Sequence, residues 1–155
     1  MADTVSKEQR HRNMAAIRSR DTKPEMFLRK ALFSLGYRYR IAPPNIYGHP
    51  DMFIARYKVA IFVHGCFWHR HEGCKFAYTP KSRVEFWNTK FMRNVTRDLE
   101  VRTVLMERGT RVLVVWECAI NRATRHDDKK QKLLDEVIEF ITSSEVYLEI
   151  PAKIM

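Results

Sequence analysis

Apolar residues recur along this chain in two alternating rhythms. From Thr22, which stands at capping-box distance from Glu25, Leu28, Ala31, Leu32 and Leu35 share one helical face until Gly36 supplies a stop. Tyr37 to Ile41 then reads as extended, and Pro43, Pro44, Asn45 and Gly48 as a loop leading to His49, Pro50 and Asp51. Two short apolar runs, Met52 to Ala55 and Val59 to Val63, are separated by Arg56, Tyr57 and Lys58, as in a hairpin of buried strands. Ser82 and Glu85 repeat the capping-box spacing before a long helix that ends at Gly109, with Val84, Trp87, Phe91, Val95, Leu99 and Leu105 directed inward. Arg111 to Trp116, RVLVVW, predicts a fully buried strand, and from about Asp127 to Thr142 Leu133, Leu134, Val137, Ile138 and Ile141 return to helical spacing. Helix, strands, helix, strand, helix in that order predict an α/β fold with a mixed central sheet flanked by helices. Repeats and low-complexity linkers are absent, so residues 1–155 read as a single domain, with 1–20 as a basic arm carrying Lys7, Arg10, Arg12, Arg18 and Arg20.

Composition narrows the partner. With 45% apolar residues in 155 the chain can bury one core, and 28 Lys and Arg against 18 Asp and Glu leave a net charge of +10, which suits a polyanion. An aromatic content of 12% places that charge on a folded body with rings able to stack on bases. The N-terminal stretch lacks the apolar core of a secretory signal and no run reaches membrane-spanning length, so a cytoplasmic protein without a membrane partner is expected. Three cysteines in such a chain point to metal ligation or free thiols rather than a disulfide framework.

Chemistry concentrates in the segment HGCFWHRHEGC, residues 64 to 74. Cys66, His71 and Cys74 have C-x4-H-x2-C spacing, and Cys118 follows the RVLVVW strand, so four soft or borderline donors could hold a structural zinc. His69 stands at C-x2-H spacing from Cys66 and competes with His71, and spacing alone leaves open which imidazole takes the metal. The alternative is a small core cysteine at position 118 with two free thiols. Asp51 begins one strand and His64 closes its neighbour, which brings both to the same end of the sheet, where a carboxylate can hold Mg²⁺. Phosphodiester hydrolysis needs a cation beside the phosphate and a base for water, roles that Asp51 and His69 can fill. Glu25 completes the Thr22 cap, and only the fold could bring it to a metal. Phe67 and Trp68 either form an apolar wedge between base pairs or roof the metal loop, while Trp87 reads as core.

Taken together, NMAAIRSRDTKPE, GHPD, VHGCFWHRH, EFWNTKFMRNVTRD and RVLVVWECA closely resemble the very-short-patch repair (Vsr) endonucleases over almost the whole chain, with HGCFWHRH the most specific block. The resemblance implies a restriction-endonuclease-like core and Mg²⁺-dependent nicking 5′ to the thymine of a T·G mismatch left by deamination of 5-methylcytosine. It implies Mg²⁺ on Asp51 and the Val63 carbonyl, His69 as general base with His64 assisting, and Glu25, Asn94 and Asp98 near the metal and its water. Zinc falls to Cys66, His71, Cys74 and Cys118. Phe67, Trp68 and Trp87 would enter the duplex, against the core reading of Trp87, with Met14 and Ile17 of the arm approaching from the other groove. Implied partners are mismatched duplex DNA, mismatch-repair proteins and a repair polymerase, with the enzyme a monomer. Two departures mark this chain: Val at position 63 in place of Thr, and HRHEGC in place of an HHHHC-like run, one residue longer between His71 and Cys74. The competing readings are a zinc-stabilised DNA-binding module without catalysis, which the +10 charge alone would satisfy, and a restriction-like nuclease without mismatch specificity.

Overall fold

The computed structural model describes residues 21–152; the basic arm, with Met14 and Ile17, lies outside them. Among the described residues the chain forms α1 (Lys23–Ser34), β1 (Met52–Ile54), β2 (Val59–His64), α2 (Val84–Glu107), β3 (Arg111–Trp116), α3 (Glu117–Arg125), α4 (Asp127–Thr142) and β4 (Tyr147–Ile150). The four strands lie in sequence order in one sheet; β1 is antiparallel to β2, while β2 to β3 and β3 to β4 are parallel, with helices supplying both crossovers. The result is a mixed α/β fold with an open sheet flanked by helices.

Alternation along the strands explains why both faces are covered. Ile61, Leu113, Val115 and Ile150 meet Leu28 and Leu32 of α1, Ile120 of α3 and Val137, Phe140 and Ile141 of α4. Ala60, Val112, Val114 and Trp116 face the other way, toward Leu105 of α2 and toward Cys66 and Cys118. From Val112 to Trp116 β3 is therefore apolar throughout, because each face has its own roof. Arg111 leaves the sheet edge to donate to the carbonyls of Ile141 at 3.0 Å and Glu145 at 2.7 Å, and also to that of Phe140, answering acceptors that a helix C-terminus cannot satisfy internally.

Tyr37 to Ile41, read as extended, makes one antiparallel bridge, Arg40 with Phe53. Several expectations need correction. The Ser82 cap does not form: Arg83 takes a left-handed conformation, φ 54°, and α2 starts at Val84 with no side-chain cap. On α2 only Phe91 and Leu105 are buried, whereas Val84, Val95 and Leu99 are 42, 45 and 50% exposed. Geometry accounts for this. At 24 residues α2 is about 36 Å long, and a six-residue strand spans only about 20 Å, so the helix overhangs the sheet. The helix α3 and strand β4 were not anticipated. α3 begins on the residue after β3 with no turn to mark the change of period, and β4 is only four residues long. No described helix is long and apolar enough to cross a membrane.

Phe140, 1% exposed, is among the largest side chains sealed in the core. Phe140→Ala is expected to destabilise the fold by about 3–5 kcal/mol, read as a lower urea midpoint at unchanged m-value. A loss under about 1 kcal/mol would contradict the core assignment.

Candidate active site and metal centre

Beyond His64 the chain reverses through a series of tight turns: His69 N–H donates to Gly65 O at 3.0 Å, His71 N–H to Cys66 O at 3.0 Å, and Cys74 N–H to His71 O at 3.2 Å, with Arg70 left-handed at φ 57°. The folding back sends side chains to two sides. Cys66 and His71 turn toward the start of α3, and His69 turns toward the cleft under α2.

The first side gathers Cys66, His71, Cys74 and Cys118, whose ligand atoms all lie within 4.8 Å of one another. His71 Nδ1 is 3.7 Å from Cys66 Sγ and 3.5 Å from Cys118 Sγ, separations that suit sulfur and nitrogen sharing one tetrahedral zinc. No cysteine is in a disulfide. Cys118 is held below the ordinary thiol range by the hydrogen bond from Cys66 and then by the charge of His71, while Cys66 is pushed up by the same bond. Three sulfurs and one imidazole nitrogen converging on one point form a donor set that fits zinc. His71 is 2% exposed, its ring lies flat on Trp116 at 4.3 Å, and its Nε2 has no hydrogen-bond partner.

The second side faces an open cleft of about 560 Å³ whose lining includes Glu25, Asp51, Val63, His64, His69, Asn94 and Asp98. Asp51 immediately precedes β1, and its Oδ2 accepts from Val63 N–H at 2.6 Å, beyond the point where the β1 ladder ends. Burial pushes the Asp51 carboxyl up to about 7; Val63 N–H and Arg29 oppose this, and Glu25 adds to it. Glu25 is itself buried: its N–H donates to Thr22 Oγ1 at 3.4 Å, and its Oε2 accepts from Asp21 N–H at 2.7 Å and Arg29 Nη2 at 3.2 Å. The His64 and His69 rings stack at 3.9 Å and 5°, and burial, then His69, hold His64 well below the ordinary imidazole range. His69 Nδ1 lies 2.6 Å from Asp98 Oδ2, and Asn94, one turn earlier on α2, donates to Trp68 O at 3.0 Å.

Phe67 and Trp68 are half-buried, not free-standing. Phe67 packs edge-on to Trp68 and Phe91 at 5.1 Å and to Trp87 at 5.6 Å, with Tyr78 also 5.1 Å away. Trp87 is thus neither sealed core nor isolated, but part of a ring cluster with Phe67, Trp68 and Phe91. The structure also brings forward residues that sequence reasoning passed over. Arg29 neutralises Glu25, and its i,i+4 spacing was a legible signal. Glu149 of the unanticipated β4 accepts from Trp116 Nε1 at 3.0 Å, which fixes the ring beneath His71.

Known proteins are similar to this chain. A family described as DNA mismatch endonuclease Vsr matches residues 2–75. DNA mismatch endonuclease Vsr of Escherichia coli is 41% identical over 89% of this chain and 83% of its own length. A type II nicking enzyme of Xanthomonas oryzae pv. oryzae is 38% identical over 87% of this chain and 98% of its own, and one of Neisseria meningitidis 37% over 88% and 97%.

Metal analysis of the purified protein is expected to find about one zinc per chain, and Cys118→Ala to lose it with a fall of about 10 °C in melting temperature. An unchanged melting temperature both in the variant and under chelator would contradict a structural metal.

Proposed function

The chain belongs to the Vsr family of DNA mismatch endonucleases, and from that premise we propose that it nicks duplex DNA 5′ to the thymine of a T·G mismatch, initiating very-short-patch repair. It is a DNA endonuclease. What carries the finer reading is one juxtaposition: the His69–Asp98 pair and the Asp51 and Glu25 carboxylates line one cleft, and the loop that brings His69 there carries Phe67 and Trp68 immediately before it, in a ring cluster with Trp87.

Asp51 and the Val63 carbonyl would hold Mg²⁺. A strand residue points its N–H and C=O to the same side, and Val63 N–H already meets Asp51, which favours this pairing. A buried carboxylate raised toward neutrality beside Glu25 also fits a cation. Bound there, the ion would neutralise charge developing on the scissile phosphate. Asp98 occupies His69 Nδ1, leaving Nε2 to take the proton of the attacking water as oxygen bonds to phosphorus and the leaving oxygen departs in line. Asp98 then stabilises the imidazolium, and His64 keeps the ring from tilting by stacking on it. Glu25 and Asn94 border the same space, Glu25 near the metal and its water, and Asn94 tying α2 to the loop through Trp68 O. Phe67, Trp68 and Trp87 would unstack the mismatched step, which yields more easily than a paired one. The core is read as restriction-endonuclease-like within one domain, acting as a monomer whose nick is handed to mismatch-repair proteins and a repair polymerase.

In single-turnover assays with Mg²⁺, Asp51→Ala is expected to slow nicking of a T·G duplex by about a thousandfold or more while DNA binding persists. Nicking at the wild-type rate would remove Asp51 from the mechanism, and a linear product from mismatch-free plasmid would favour a restriction-like nuclease. His69→Ala should lose about 10²- to 10⁴-fold and Asp98→Asn less; an Asp98→Asn variant slower than His69→Ala would contradict the order of roles.

A further inference from the structure

Between the proposed general base His69 and the proposed zinc ligand His71 stands Arg70. Its guanidinium does not reach outward. Nη1 donates to Phe67 O at 3.2 Å and Tyr78 O at 2.9 Å, and Nη2 to Ala77 O at 2.7 Å and Thr79 Oγ1 at 3.2 Å. The group also lies over the Phe91 ring at 3.9 Å, the ring against which Phe67 packs edge-on. One planar fork therefore ties the Phe67 backbone, the 77–79 segment bearing Tyr78, and the α2 side of the ring cluster. A lysine ammonium has no such plane and cannot span these acceptors while covering the ring.

We infer that Arg70 is a positioning residue for mismatch recognition: it holds the Phe67 and Trp68 rings rigid for insertion without touching DNA itself. This rests on the wedge role given to those rings above. Rings already fixed lose little freedom on entering a base step, whereas loosened rings must be ordered as they bind. Discrimination suffers most, because insertion is the step that separates a weak mismatched stack from a paired one.

The test compares wild type, Arg70→Met and Arg70→Lys, each with its zinc content measured, on T·G and matched T·A duplexes over a range of salt. Both variants are expected to bind the T·G duplex about tenfold more weakly with matched binding changed less than about twofold. Zinc content, the salt dependence of binding and the single-turnover rate at saturating enzyme should stay near wild type. Without DNA, acrylamide should quench tryptophan fluorescence more readily in both variants, because Trp68 and Trp87 sit in the loosened cluster. Restoration by lysine, or a salt slope shallower by about one in Arg70→Met, would identify a phosphate contact and overturn the inference. Loss of zinc, or an unchanged preference with unchanged quenching, would overturn it as well. A wild-type enzyme that binds both duplexes alike would contradict the mismatch reading instead, and Arg70 would then stand or fall on the quenching result.

Discussion

The convergence of Cys66, His71, Cys74 and Cys118 is the constraint on which the site depends. β2 delivers His64 in register with Trp116, and the chain must then return to Cys118 two residues further along the neighbouring segment. A loop fastened at both ends has little freedom between. His69 can point only into the cleft, where Asp98 of α2 meets it, and Phe67 only toward α2, where Phe91 and Trp87 wait. On the reading proposed above, a metal held by these three sulfurs and one imidazole would act at a distance from the phosphodiester chemistry, by fixing the loop that carries His69.

Charge is arranged in the opposite sense to the whole. In a chain of net charge +10 the cleft carries the carboxylates of Asp51, Glu25 and Asp98, with Arg97 and Arg102 also on its lining. The positive balance of the chain suits a phosphate backbone, and the carboxylates of the cleft suit the cation proposed for cutting it. Arg29 keeps that cleft from becoming too negative: its Nη2 pairs with Glu25 and its Nη1 with Asp21, so Asp51 faces a partly neutralised neighbour.

Much of this was legible in the sequence, for identifiable reasons. α1, β2, β3 and α4 each bury a face against a partner, so their apolar spacing survives in the primary structure, and Thr22 caps α1 as its spacing implied. α2 misled because its apolar residues serve more than the core: Val95 and Leu99 border the cleft, and Trp87 joins a ring cluster. Spacing could nominate His69 and His71 as metal ligands but not divide them, because the choice depends on Cys118 and Asp98, which arrive from β3's end and from α2. Arg70 carried no signal of its own in the sequence. Its function became visible only when the 77–79 carbonyls were placed around it.

That division of two imidazoles between two tasks is the centre of the account. X-ray absorption at the zinc edge reads it without reference to DNA. Three sulfurs at about 2.3 Å and one nitrogen at about 2.0 Å are predicted. Two sulfurs and two nitrogens would mean that His69 is spent on the metal, and the nicking centre described for the cleft would lose its base.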